Sequence, residues 1–187
     1  MEKVVETKLY FAKAFLKLRQ QKGVEQIRVK DLCGNGGASR QTFYYHFLDK
    51  NDLLYWMLDY ELEKTYRSNA GDYNVPCLEE VLKSILDEDS FFRAILGGKG
   101  GYPDITFLSD FFIQYDSKTV KTAFRLAELN KDQQFTVKYY AYAFSGVIIN
   151  ALNSKEPVNP HDLAEEIYSI MPTLMKDAYV KKLDRYY

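Results

Sequence analysis

Cysteine is nearly absent from the chain. Cys33 and Cys77 are the only two in 187 residues and form no C-x-x-C pair. That excludes a disulfide framework and a cysteine-based zinc site. Histidine is equally scarce, and neither His46 nor His161 has a cysteine or an acidic cluster beside it. No metal and no cofactor is expected. Five Pro and ten Gly are too few for a collagen or a disordered linker protein. No stretch approaches the roughly 18 consecutive apolar residues of a membrane span, so no membrane partner is expected. The first residues, Met1 to Glu6, carry charges where a signal peptide needs an apolar core. Together these absences lead to the expectation of a reducing, cytoplasmic location.

Net charge is also small, at -1, but it is unevenly spread. Residues 1–50 carry ten Lys and Arg against five acids, and residues 51–187 carry fifteen against twenty-one. A basic end on an acidic remainder is what a chain with one polyanion-binding end looks like. Aromatic residues, by contrast, are abundant at 16%, with 16 Tyr and 12 Phe. Rings in that number suit a wide core, a pocket or an interface.

Apolar residues recur at helical spacing nearly everywhere, and strand alternation is scarce. The expectation is an all-α chain of about nine helices. The first runs from about Thr7 to Lys22 and stops at Gly23. A short helix spans about Val29 to Asn35, and another spans Arg40 to Tyr45 behind a Ser39 cap. A long fourth helix begins after Asp49 and continues to about Arg67. Helices follow over Cys77–Asp87 and Ser90–Leu96. The next covers Asp104 to about Asn130, with a break expected near Tyr115-Asp116-Ser117. Gln133 to about Asn153 is a long apolar helix. Asn159 caps the last helix, which Pro172 must kink or end early.

Residues 27–54 carry the most information. A short helix, a tight turn through Gly36-Gly37, and a second short helix make the layout of a helix-turn-helix. Leu32, Cys33 and Phe43 face inward. The second helix then exposes Arg40, Gln41, Thr42, Tyr44 and Tyr45. Arg and Gln can pair bidentately with guanine and adenine edges, and Thr can meet a thymine methyl. Tyrosine hydroxyls, Arg28 and Lys50 can reach phosphates. A solvated face of an ordinary helix pair is the plainer reading of the same residues. His46 is open to two readings, a packed hinge histidine or a phosphate contact.

This stretch resembles the DNA-binding domain of the TetR/AcrR family of bacterial transcription regulators. Val29, Asp31, Leu32, Gly37, Ser39, Thr42, Phe43, Tyr44, His46, Phe47, Lys50, Leu53 and Leu54 match its pattern without a gap. The string Arg-Gln-Thr-Phe-Tyr-Tyr-His-Phe is similar to the branch that contains regulators of the dihydroxyacetone kinase operon. Two departures stand out. Arg28 replaces a capping Thr, at a cost of about 1 kcal/mol unless a neighbour supplies the cap. Gly34 and Gly36 weaken the end of the second helix, which can end early.

The resemblance implies a DNA-binding head, residues 1–50, on a helical effector and dimerisation domain, residues 51–187. It implies DNA contacts by Arg28, Ser39, Arg40, Gln41, Thr42, Tyr44, Tyr45, His46 and Lys50. Trp56, Tyr60, Phe92, Phe107, Phe111 and Tyr115 are candidates to line a pocket for a small apolar or aromatic effector, unless they are simply core. Phe144, Ile148 and Ala151, with Ile167, Ile170 and Leu174, form apolar stripes suited to a two-fold interface, unless they are buried within one subunit. Gly97 to Gly101 lacks the spacing of a phosphate loop, and Ser145-Gly146 lacks the frame of a nucleophile elbow. Nothing supports an enzyme. The function read is a sequence-specific transcription regulator, a repressor of a double-stranded DNA operator, switched by a ligand or partner on the second domain. An activator switched by a partner protein, with no small-molecule pocket, stays open beside it.

Overall fold

The computed structural model describes residues 2–33, 38–68, 73–98, 101 and 105–184. Among them are ten α-helices, one short 3-10 turn and no strand. The head contains α1 (Glu2–Arg19), the 3-10 turn Val24–Gln26, α2 (Val29–Leu32) and α3 (Arg40–His46). Then come α4 (Lys50–Ser68), α5 (Val75–Leu86), α6 (Phe91–Leu96), α7 (Ile105–Phe124) and α8 (Lys131–Leu152). The chain ends with α9 (Pro160–Ile170) and α10 (Thr173–Leu183). No helix among the described residues is long and apolar enough to cross a membrane.

The helix starts follow from polar caps. Asn130 Oδ1 accepts from the Gln133 amide at 2.9 Å while Gln133 Oε1 accepts from the Asn130 amide at 3.0 Å, a full capping box. Asn74, Ser90 and Asn159 cap α5, α6 and α9 with the same chemistry. Asp49 and Asp52 reciprocate around the start of α4. Asp49 Oδ1 accepts from the Asp52 amide, and Asp52 Oδ2 accepts from the Leu48 amide, each at 2.9 Å.

One expected break is absent, two expected helix ends move, and Pro172 acts as expected. The break expected in the long aromatic helix does not occur, because Asp116 turns inward and accepts from the Tyr179 hydroxyl at 2.6 Å. That helix instead stops at Phe124. Arg125 adopts a left-handed φ of 55°, and the Leu126 amide bonds back to the Lys121 carbonyl at 2.8 Å. The short helix over Val29 ends at Leu32, and the Gly36-Gly37 turn lies outside the described residues. Pro172 divides the last helix into α9 and α10, where it stands as N-cap of the second.

The long helices pack as layers. α7 lies along α8, α10 covers α7, and α9 covers α5. α4 packs on α1 at one end and on α5 and α6 farther along. One continuous apolar core results, running from Phe11 and Phe15 in the head through Leu53, Met57 and Leu58 to Phe112 and Ile148.

Candidate nucleic-acid interface

The outward face of α3 is set by what that helix hides. Phe43 is fully buried and meets Phe11 edge-on, ring centroids 5.1 Å apart, with Phe47 at 5.4 Å. Edge-to-face pairs of this kind fix orientation as well as contributing burial. Ser39 Oγ accepts from the Thr42 amide at 3.0 Å, which sets the helix start. With Phe43 pinned and Ser39 capping, Arg40, Gln41, Tyr44 and Tyr45 point outward. Tyr45 is 82% exposed. Thr42 is half-buried, its hydroxyl 2.9 Å from that of Ser39. His46 is also half-buried, its ring edge-on to Tyr45 at 5.0 Å.

Sequence patterning does not single out Leu48, which is 86% exposed just beyond the third helix. Arg28 is exposed, and the missing cap is supplied from the other side. Asp31 Oδ2 accepts from the Arg28 amide at 2.9 Å and from Lys22 Nζ at 2.7 Å. The Lys22 hydrogen bond holds the Asp31 carboxyl below its ordinary range. Lys50 turns back into the protein. Its Nζ donates to the Val24 carbonyl at 2.9 Å, and burial lowers its pKa from the usual lysine value. The ammonium therefore braces the 3-10 turn against the start of α4.

Behind α3 lies the seam with the rest of the chain. Lys8 Nζ sits 5.0 Å from the Phe47 ring centroid and 5.5 Å from that of Trp56. Arg19, at the end of α1, donates from Nε to the Ala94 carbonyl at 2.8 Å and from Nη2 to the Gly97 carbonyl at 3.0 Å. Both acceptors lie at the C-terminal end of α6, where a cation is favoured. The other end of α6 is held from α4. Glu61 Oε2 accepts from the Phe91 amide at 2.8 Å, and burial pushes the Glu61 carboxyl up to about 7. Arg93 of α6 donates to the carbonyls of Leu86 at 2.7 Å and Leu152 at 3.2 Å, the last residues of α5 and α8.

Of the expected pocket residues, Phe92, Phe107 and Phe111 are core. Trp56 and Tyr60 are half-buried, with their rings 5.2 Å apart. Tyr115 is buried, and its hydroxyl donates to Glu63 at 3.1 Å. Among the expected interface residues, Phe144, Ile148 and Ile167 face the interior of the protomer. Phe144 meets Phe112 edge-on at 4.9 Å. Ala151 and Leu174 are half-buried, and Ile170 is 79% exposed. The outward stripe of α8 consists of Phe135, Tyr139 and Tyr142, with Phe135 and Tyr139 70% and 66% exposed.

Known proteins of the same build exist. The family model TetR_C_8, the transcriptional regulator C-terminal region, matches residues 75–173. The HTH-type dhaKLM operon transcriptional activator DhaS of Lactococcus lactis subsp. lactis (strain IL1403) is 27% identical over 177 residues, covering 94% of this chain and 91% of its own. The solved structure of a dihydroxyacetone kinase operon activator DhaS has the same fold, with a TM-score of 0.53 and 21% identity over 89% of this chain and 94% of its own. Matched by the regulator model over more than half its length, the chain belongs to the TetR-type transcriptional regulators: it is a DNA-binding protein and not an enzyme.

Proposed function

We propose that the chain is a cytoplasmic, homodimeric activator that reads its operator with Arg40, Gln41, Thr42, Tyr44 and Tyr45. The observation that carries this is the outward face of α3, anchored from behind by Phe43. Arg28, Ser39 and His46 border that face, while Lys50 supports it through Val24. Residues 1–50 supply the DNA contacts, and residues 51–187 supply dimerisation and control. The relative's name favours an activator over a repressor and points to a dihydroxyacetone kinase operon as target. A reporter driven by the operator should rise when the protein is present.

Affinity for operator should fall with salt, each neutralised phosphate contributing a log–log slope of about -0.9. Arg40→Ala or Gln41→Ala should cost about 1–3 kcal/mol per base contact and relax one operator position in each half-site. Anisotropy titrations on operator and random duplexes separate the outcomes. An equal loss on both would assign these residues to the backbone.

For the dimer, the exposed stripe of α8, Phe135, Tyr139 and Tyr142, is the surface that supports pairing. Contiguous exposed aromatics are interface residues more often than solvated ones. Tyr139→Asp should give folded monomers by sedimentation. A dimeric Tyr139→Asp variant would move the interface elsewhere. Control then passes to the head by two routes, α4 and the Arg19 contact with α6. An occupant of the second domain acts only as far as it binds one arrangement of these helices better than the other.

A further inference from the structure

We propose that Lys8 is a positioning residue for operator recognition, its ammonium seated on one face of α4 so that the head is held at one angle to that helix. This deepens the reading that α3 meets the operator, and rests on it.

The corner between α3 and α4 is short, only Phe47, Leu48 and Asp49. Its main chain is fixed locally, by Asp52 accepting from the Leu48 amide and Asp49 accepting from the Asp52 amide. Those bonds stay within the corner and leave the tilt of α1 over α4 to longer contacts. Two lysines supply them in opposite directions. Lys50 of α4 reaches into the head at the Val24 carbonyl, and Lys8 of α1 reaches out to α4.

Asp52, Trp56 and Asp59 are one and two turns apart, so they share a face of α4. Lys8 borders the same cavity as these three. Its Nζ stands 5.0 Å from the Phe47 ring centroid and 5.5 Å from that of Trp56, while the two rings are 6.1 Å apart. One ammonium thus meets the end of α3 and the second turn of α4 together. Burial raises the Asp59 carboxyl above its ordinary range, and Lys8 is among the cations that pull it back down, with Lys118 and Lys182. A cation beside an indole and two carboxylates is attracted by all three. A neutral side chain of similar length keeps the packing and loses that attraction.

Phe47 lies 5.4 Å from Phe43, so the tilt that Lys8 sets passes to the recognition helix. Paired heads fit two half-sites only at one separation. Random DNA asks for no such separation, so losing Lys8 should cost specific binding more than non-specific binding.

The test compares wild type, Lys8→Met and Lys8→Arg on two duplexes, one selected from genomic fragments by the wild-type protein and one scrambled. Lys8→Met should weaken the selected duplex by about tenfold and the scrambled one by less than about twofold, with an unchanged salt slope, and Lys8→Arg should restore affinity. Equal loss on both duplexes, with a slope flatter by about 0.9, would make Lys8 a phosphate ligand and overturn the proposal. Unchanged affinity in Lys8→Met would overturn it as well. A second readout needs no DNA, because Trp56 is the only tryptophan. Lys8→Met should lower iodide quenching of its emission by about twofold and raise caesium quenching, as removal of a nearby positive charge requires. Identical quenching in both proteins would show that the ammonium does not sit at the ring. If selection on wild type yields no preferred duplex, the α3 reading fails and takes the proposal with it, whatever the quenching shows.

Discussion

Phe43→Ala should remove operator binding and lower the stability of the chain by about 3–5 kcal/mol, the cost of emptying a buried aromatic site. Phe43 has no solvent exposure and holds the third helix to α1 through Phe11. The loss is comparable with much of the total stability of an ordinary domain. Urea melts and operator anisotropy on the same samples check both parts. The companion variant Tyr45→Ala separates fold from contact. Its side chain is 82% exposed, so stability should change by less than about 0.5 kcal/mol while affinity falls. A Phe43→Ala protein with an unchanged melt would sink the claim that this ring orients the recognition helix.

Asp116→Asn should stabilise the protein at alkaline pH and do little in acid. Asp116 is 1% exposed, accepts from Tyr179 at Oδ1, and has no partner for Oδ2 among the described residues. Burial pushes its carboxyl up to about 7 from 3.8. Since the folded value is the higher one, the unfolded chain releases this proton first. Between about pH 4 and pH 7 the folded state holds more protons, so stability falls as pH rises through that window. A shift of about three units corresponds to about 4 kcal/mol at full effect. Asparagine keeps an acceptor for Tyr179 and carries no charge to desolvate. Its gain near pH 8 should approach that figure, less the cost of one unpartnered amide. Melting temperatures of both proteins across pH 4–8 test this, and parallel curves would refute it.

The head was readable because its signals are local. Ser39, Phe43 and the stretch through Leu54 sit at fixed short spacings, so capping and burial follow from the chain itself. The orientation of α8 was not readable in that way. Val137, Ala141 and Phe144 form one apolar stripe, and Phe135, Tyr139 and Tyr142 form another. Periodicity cannot rank two apolar faces; packing against α7 does. The unbroken run through Asp116 depends on Tyr179, 63 residues away. Lys50 resembles a phosphate ligand until the Val24 carbonyl is placed beside it.

Among the described residues, Arg19 addresses main-chain oxygens, those of Ala94 and Gly97. Every sequence offers such oxygens, so what the joint requires of α6 is where it ends rather than which side chains it bears. Gly97 fixes that end, since a β-carbon there would lie 2.8 Å from the Arg93 carbonyl oxygen. In exchanges of parts between regulators, a transplanted head bearing an arginine at this place would find its socket in any recipient whose sixth helix terminates on an equivalent glycine. Substitutions along the outer side of α6 would pass unnoticed by the head, while one added methyl at residue 97 would not. The two halves can thus diverge in composition and still remain mechanically compatible.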